Sequence, residues 1–185
     1  MKTNLLNTLT AAFLLLMPAI NFGQVVNLGT AAKFAIFSSD GAVSNTGISH
    51  VNGEIGTNVG LTIGFDSLVV TGKIHPIPDV YTAACAADLL IAYNYLNTLP
   101  YDSLLLDPAQ FGNNMVLTPN IYRMNAATVF TDTLFLDAQG DDNAVFVIQI
   151  NGALLTTTHS KVILLNKAQS KNVYWKIDGA ASISD

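Results

Sequence analysis

"NAVFVIQINGALLTTTHSKVILLNKAQSKNVYWKIDGA", residues 143–180, repeats part of itself. "QINGA" (149–153) returns as "KIDGA" (176–180), a shift of 27, and "LDAQ" (136–139) is echoed by "NKAQ" (166–169), a shift of 30. Echoes in the 20–50 range point to a solenoid, in which each coil buries its inward residues against the coils above and below. Short strands with regular turns also suit a β-sandwich, so the residues alone leave both architectures open.

Strand signals continue on either side. "VLTPNIYRM", "ATVFTD", "TLFLDAQ", "NAVFVIQI", "KVILL" and "NVYWKI" are rich in Val, Ile, Leu, Thr and aromatics. From Val25 to Ile74 the apolar runs are shorter and are cut by Gly, Asn, Ser and Thr, which predicts short strands that turn often. "IHPIPDV" closes that part, because two prolines within three residues stop regular structure. The single helical signal spans about 79–97. Asp79 can cap it, and Val80, Ala83, Ala84, Ala87, Leu90, Ile91 and Asn94 fall at three- and four-residue spacing, so this small-residue stripe is expected to lie against the strands. Pro100 ends it.

Residues 1–23 read as a secretory signal peptide, with Lys2 before the apolar "AAFLLLMPAI" and Gly23 at the cleavage point. The apolar stretch is shorter than the roughly 20 residues a membrane span needs, so membrane insertion is not expected. The mature chain, 24–185, is then a single domain with a formal charge of -6, secreted and expected to be monomeric. Its scattered acids argue against nucleic acid as a partner. Cys85 is the only cysteine, which excludes an internal disulfide, and it reads as a small buried side chain.

The order of segments resembles the microbial ice-binding family whose fold is a discontinuous right-handed β-solenoid with a long helix beside it. The matching stretches are "LGTAAKFAIFSSDGAVSNTG" (28–47), "VNGEIGTNVG" (51–60), "AADLLIAYNYL" (86–96), "LTPNIYRM" (117–124), "LFLDAQGDDNAVFVIQI" (134–150) and "SKVILLNKAQSKNVYWKIDGAASI" (160–183). The resemblance implies a mainly β fold, a right-handed β-solenoid with one long flanking α-helix. It also implies adsorption to an ice crystal surface and its ordered water, with no catalysis and no cofactor. Asn120 stands where the family usually has Gly in its "LTPG" turn, a place where Asn tolerates the left-handed region. Relatives run some tens of residues past "NVYWKI", so the resemblance implies a solenoid lacking its C-terminal coils, or part of a longer gene. The alternative function is a structural or adhesive module binding a surface glycan or another protein.

Candidate chemical sites compare poorly with ordinary structural roles. His50, His75 and His159 are far apart and have no partner at metal-ligand spacing, so solvated or turn positions are expected. "DAQGDDNA" (137–144) lacks the length and closing Glu of an EF-hand loop and reads as a turn in which Asp and Asn bond their own backbone. Ser38 and Ser39 are not in a nucleophile elbow, and neither Asp102 with Asp107 nor Glu54 with Asp66 is a specific glycosidase signal. No catalytic, cofactor or metal residue is assigned. "TTT" (156–158) suggests a surface: alternation puts Thr156 and Thr158 on one side of a strand, where their methyls and hydroxyls are candidates for the ice face.

Overall fold

The computed structural model describes residues 25–184. The signal peptide expected at 1–23, together with Gln24 and Asp185, lies outside the described residues. The chain first builds short coils from β1 (Phe34–Ser38), β2 (Val43–Ser44), β3 (Glu54–Thr57) and β4 (Thr62–Ile63). β1 pairs with β3 and β2 with β4, both parallel, and lone bridges join Val51 to Val70 and Ile55 to Ile74. The helix α1 (Val80–Thr98) follows.

Beyond it come β5 (Ser103–Leu104), β6 (Phe111–Gly112), β7 (Met115–Leu117), β8 (Ile121–Met124), β9 (Thr128–Thr131) and β10 (Thr133–Asp137). These are followed by β11 (Phe146–Ile150), β12 (Leu154–Thr156), β13 (Lys161–Leu165), β14 (Val173–Ile177) and β15 (Ala181–Ser182). They stack as three parallel sheets, in the orders β14-β11-β8-β5, β15-β12-β9-β6 and β13-β10-β7. Each turn of chain contributes one strand to each sheet in succession. The fold is the expected right-handed β-solenoid with one flanking helix, and the sandwich reading is set aside because every strand pair is parallel.

The 27-residue echo is the ladder register itself: Gln149 lies opposite Lys176, and Leu154 opposite Ala181. The 30-residue echo is not. Asp137 pairs with Leu165, a step of 28, and the echoed residues fall mostly in the corner that follows. Glycines mark where corners stack. A Cβ on Gly179 would lie 2.7 Å from the Ala153 nitrogen, and one on Gly72 only 2.3 Å from the Gly53 carbonyl carbon, so neither corner has room for a side chain.

The inward residues of the larger stack form one core, with Leu134, Leu136, Phe146, Ile148 and Ile150 fully buried, and Val43, Ile55 and Val70 form a separate one in the first coils. Phe111, Phe130 and Trp175 stack edge and face within it, at centroid distances of 5.7–6.1 Å.

Asp79 caps α1 as expected. Its Oδ1 accepts from Tyr81 N and Thr82 N, and the Thr82 hydroxyl receives the Asp79 N–H, closing a capping box. The expected contact stripe is corrected. Val80, Ala83, Ala87, Leu90, Ile91 and Asn94 are exposed, and the buried seam is Thr82, Cys85, Ala92 and Leu96. The helix is apolar nearly all round, so apolar spacing could not pick its inner side. Polar contacts settle the phase: Asp88 Oδ2 accepts from Thr30 N at 2.7 Å and from the Thr30 hydroxyl at 2.6 Å.

The N-terminal end of α1 lies on the first coils, with Thr82 against Gly56, and its C-terminal half lies on β8 and β11 through Ala92, Leu96, Ile121 and Val147. A cleft of about 610 Å³ lies between the first coils and α1, lined by Ser39, Asn58, Ala86, Ala87, Leu90 and Tyr93. Among the described residues no helix is long and apolar enough to cross a membrane.

Candidate functional site

The three sheets give the solenoid three outer faces. The first, on β5, β8, β11 and β14, is covered by α1. Its outward Gln149 is 1% exposed and donates to the Leu96 and Leu99 carbonyls. Lys176 next to it is bonded to Asp178, which also receives the Tyr93 hydroxyl. This face is committed to the helix.

The third face, on β7, β10 and β13, carries a central outward column of Val116, Phe135 and Ile163. Charge flanks it: Lys161 is exposed, and Asp137 is half-buried and bonded to Asn166 Nδ2 at 2.8 Å.

The second face, on β6, β9, β12 and β15, differs from both. Val129, Leu155 and Ser182 form one outward column by register. Ala127, Ala153 and Ala180 precede the equivalent strand starts and are all exposed. Thr131 and Thr157 follow on the other side, the Thr157 N–H donating to the Phe130 carbonyl at 2.9 Å. None of these eight side chains is charged or aromatic, and six of them are alanine, serine or threonine. Straight ladders hold them at the strand spacing of about 4.8 Å, so the surface is level and repetitive in one direction.

Thr156 and Thr158 sit differently from their expected placement. Thr156 points inward, is 7% exposed, and its hydroxyl oxygen accepts from Ser184 N at 2.8 Å. Thr158 is exposed, but on the corner turn after β12, where His159 adopts φ 70°. The two therefore do not share a face. The alternation is as read, but its phase is set by Leu154, buried opposite Thr128, and this turns Leu155 outward instead.

His75 also departs from expectation. It is 1% exposed, with Nδ1 2.6 Å from Asp79 Oδ2 and Nε2 2.9 Å from Glu54 Oε2. Folding supplies partners that sequence spacing did not show. His50 and His159 are exposed.

Other candidates have local structural roles. Asp137 and Asp141 in "DAQGDDNA" accept from Gln139 N and Asn143 N, the turn that was read there. Hydrogen bonds from Asn166 and Gln139 hold the Asp137 carboxyl below the usual carboxylate range. Asp102 accepts from Ile121 N, Asp66 from Leu68 N, and Ser38 donates to the Asp40 carbonyl. Asn120 is not among the residues with positive φ, so its turn forms without the left-handed conformation. Cys85 is fully buried, as read; burial first, then the nearby Asp88 and Glu54 charges, push its thiol up to about 11.

Residues 37–185 match the family model described as ice-binding-like. The chain belongs to this family. It is 32% identical over 157 residues to an ice-binding protein of Nostoc sp. (strain HG1), covering 84% of this chain and 56% of that protein. The solved structure of an ice-binding protein from an Antarctic Flavobacteriaceae bacterium superposes with a TM-score of 0.88 at 53% identity, covering 92% of this chain and 41% of that one. A second, from an Antarctic biological consortium, gives 0.80 at 29% identity and covers 91% of this chain and 76% of that one. The chain thus spans about half the length of the first two of these family members.

Proposed function

We propose that this chain adsorbs to ice through the second face of its solenoid. The observation that carries the reading is the uncharged, level outward set of Ala127, Val129, Leu155, Ala153, Ala180 and Ser182 on a rigid parallel ladder. Each contact between such a group and ordered water is weak, so adsorption needs many in register at once. A flat repeating surface supplies that. A charged side chain would hold its own hydration shell against the lattice, and this favours the second face over the third.

Family membership supports the same reading and a role without catalysis or cofactor. The alternative, an adhesive module for a surface glycan or protein, calls for a groove with solvent-facing aromatics, whereas this face presents none. The leader at 1–23 supports secretion, and adsorption through a single face is work a monomer can do. Thr158 borders the proposed face from its corner turn. At the far end of the stack Val162 and Leu164, inward by register with Leu134 and Leu136, are each 38% exposed beside the free edges of β13–β15. A further coil can stack there, and we read this edge as where the solenoid is extended.

The test follows a single ice crystal in the presence of the folded protein. Faceted shaping and a gap between melting and freezing temperatures are expected. Leu155→Lys should abolish both, whereas Val116→Lys on the third face should leave them unchanged. A folded protein under which the crystal stays a plain disc sinks the proposal.

A further inference from the structure

We propose that Glu54, His75 and Asp79 form a proton-operated clamp that fastens the start of α1 to the first coils. A carboxylate can only accept hydrogen bonds, and His75 has one at each ring nitrogen, 2.6 Å and 2.9 Å away. Both contacts are hydrogen bonds only when both nitrogens carry a proton. A neutral ring has one N–H. When the second proton passes to solvent, one carboxylate faces a lone pair in a site where the imidazole is 1% exposed.

The clamp joins three separate pieces of chain. Glu54 opens β3. His75 donates its backbone N–H to the Ile55 carbonyl and so lies on the next rung. Asp79 divides its oxygens: Oδ1 caps the helix, and Oδ2 takes the imidazole. Opening the ring contact therefore loosens the residue that caps α1. It does so beside a close approach of helix and coil, where a Cβ on Gly56 would stand 3.1 Å from Thr82 and 3.2 Å from His75.

Among the described residues the ring has no other polar partner. The Phe34 ring lies 5.3 Å away from the β1 side and the Tyr81 ring 6.2 Å away from the helix. Lys73 Nζ is 3.5 Å from Asp79 Oδ2 and 5.1 Å above the Tyr81 ring. Lys33 and Thr30 complete a small cavity of about 270 Å³ beside the imidazole. Asp88, farther along the helix, is bonded to Thr30. The cations near the site can partly relieve Asp79, but Glu54 receives no hydrogen bond among the described residues other than that from His75.

The experiment is nitrogen NMR of the His75 ring across a pH series, together with exchange protection of the Tyr81, Thr82 and Ala83 amides. Two protonated ring nitrogens are expected wherever those amides are well protected. Loss of one ring proton should coincide with a fall in protection on the order of tenfold. His75→Gln should show the low protection at every pH. If that variant does not fold, Glu54→Gln serves instead: its amide can donate to a neutral ring, so the pH-linked step should vanish. A single ring proton while the amides are protected, or an unchanged step in the Glu54 variant, overturns the clamp.

Discussion

Gln149, in the middle of β11, terminates a helix fifty residues earlier in the chain. Its Nε2 donates to the carbonyl of Leu96 at 2.8 Å and to that of Leu99 at 3.2 Å, while its Oε1 accepts from Arg123 Nε at 2.8 Å. The last carbonyls of a helix lack partners within it, and here a strand side chain provides them. Gln149→Leu keeps the volume and removes all three bonds. Thermal unfolding should fall by roughly 4–8 °C, corresponding to about 2 kcal/mol for a chain of this size. A Tm within one degree of the parent would show that water replaces the amide without cost.

Stacked corners should tolerate less than open ones. A Cβ on Gly152 would lie 2.6 Å from Ala127 N and 2.7 Å from the Ala126 carbonyl carbon, whereas one on Gly140 meets nothing within 4 Å and suffers only from its φ of +92°. Gly152→Ala should cost about 3 kcal/mol or more, since two backbones must part. Gly140→Ala should cost about 1–2 kcal/mol. Denaturant midpoints will report the order, and equal losses would contradict the close stacking.

Acid should unfasten the helix. Asp79 is held far below the usual carboxylate range, first by the His75 hydrogen bond and then by Thr82, and Asp88 is lowered by Thr30. Asp178 is lowered chiefly by Lys176, with help from Tyr93. Carboxyls with depressed folded values stabilise fully above the ordinary carboxylate range, and that stability is lost as pH falls through it and below. Denaturant midpoints should be level above about pH 5 on the acid limb and decline below about pH 4. Asp88→Asn should reduce that decline, and an identical acid limb in the variant would exclude Asp88 as a contributor.

Cys85 should be silent until the protein opens. With the thiol pushed up to about 11 and its side chain fully buried, almost none is thiolate at neutral pH. A disulfide reagent should label it completely in denaturant and negligibly in the folded protein over the same interval. Rapid labelling of the folded protein would show that the seam between α1 and the first coils opens readily.

Elements with a strong local signature were legible in the sequence. β8–β11 and β14 follow from runs of β-branched and aromatic residues, and α1 from Asp79 and the tract up to Pro100. The coil step was legible only where identical corners survived, as in Gly152 and Gly179. The shorter step of the first coils also left a trace, in Gly41 with Gly60 and Gly53 with Gly72, each pair 19 apart. What could not be read is phase. A helix apolar nearly all round presents no preferred side, and three consecutive threonines fit either side of a strand equally well. The Leu155 face depends on which residue of β12 lies over Thr128, and the His75 site on which rung follows β3. Both are facts about stacking between distant segments, which composition does not record.

Val26, among the first residues described, is buried with Ala92, Leu96 and Val147, and Tyr174 of β14 packs on the same cluster. In a simple repeat array each unit touches only its neighbours, so order can spread from any point. Here the segment at Val26 has its seat only once β8 and β11 have been wound, far along the chain. The docking of Val26 is thus a late event in folding, a long-range closure of the slow kind, and an intermediate that lacks β11 would carry this segment unanchored.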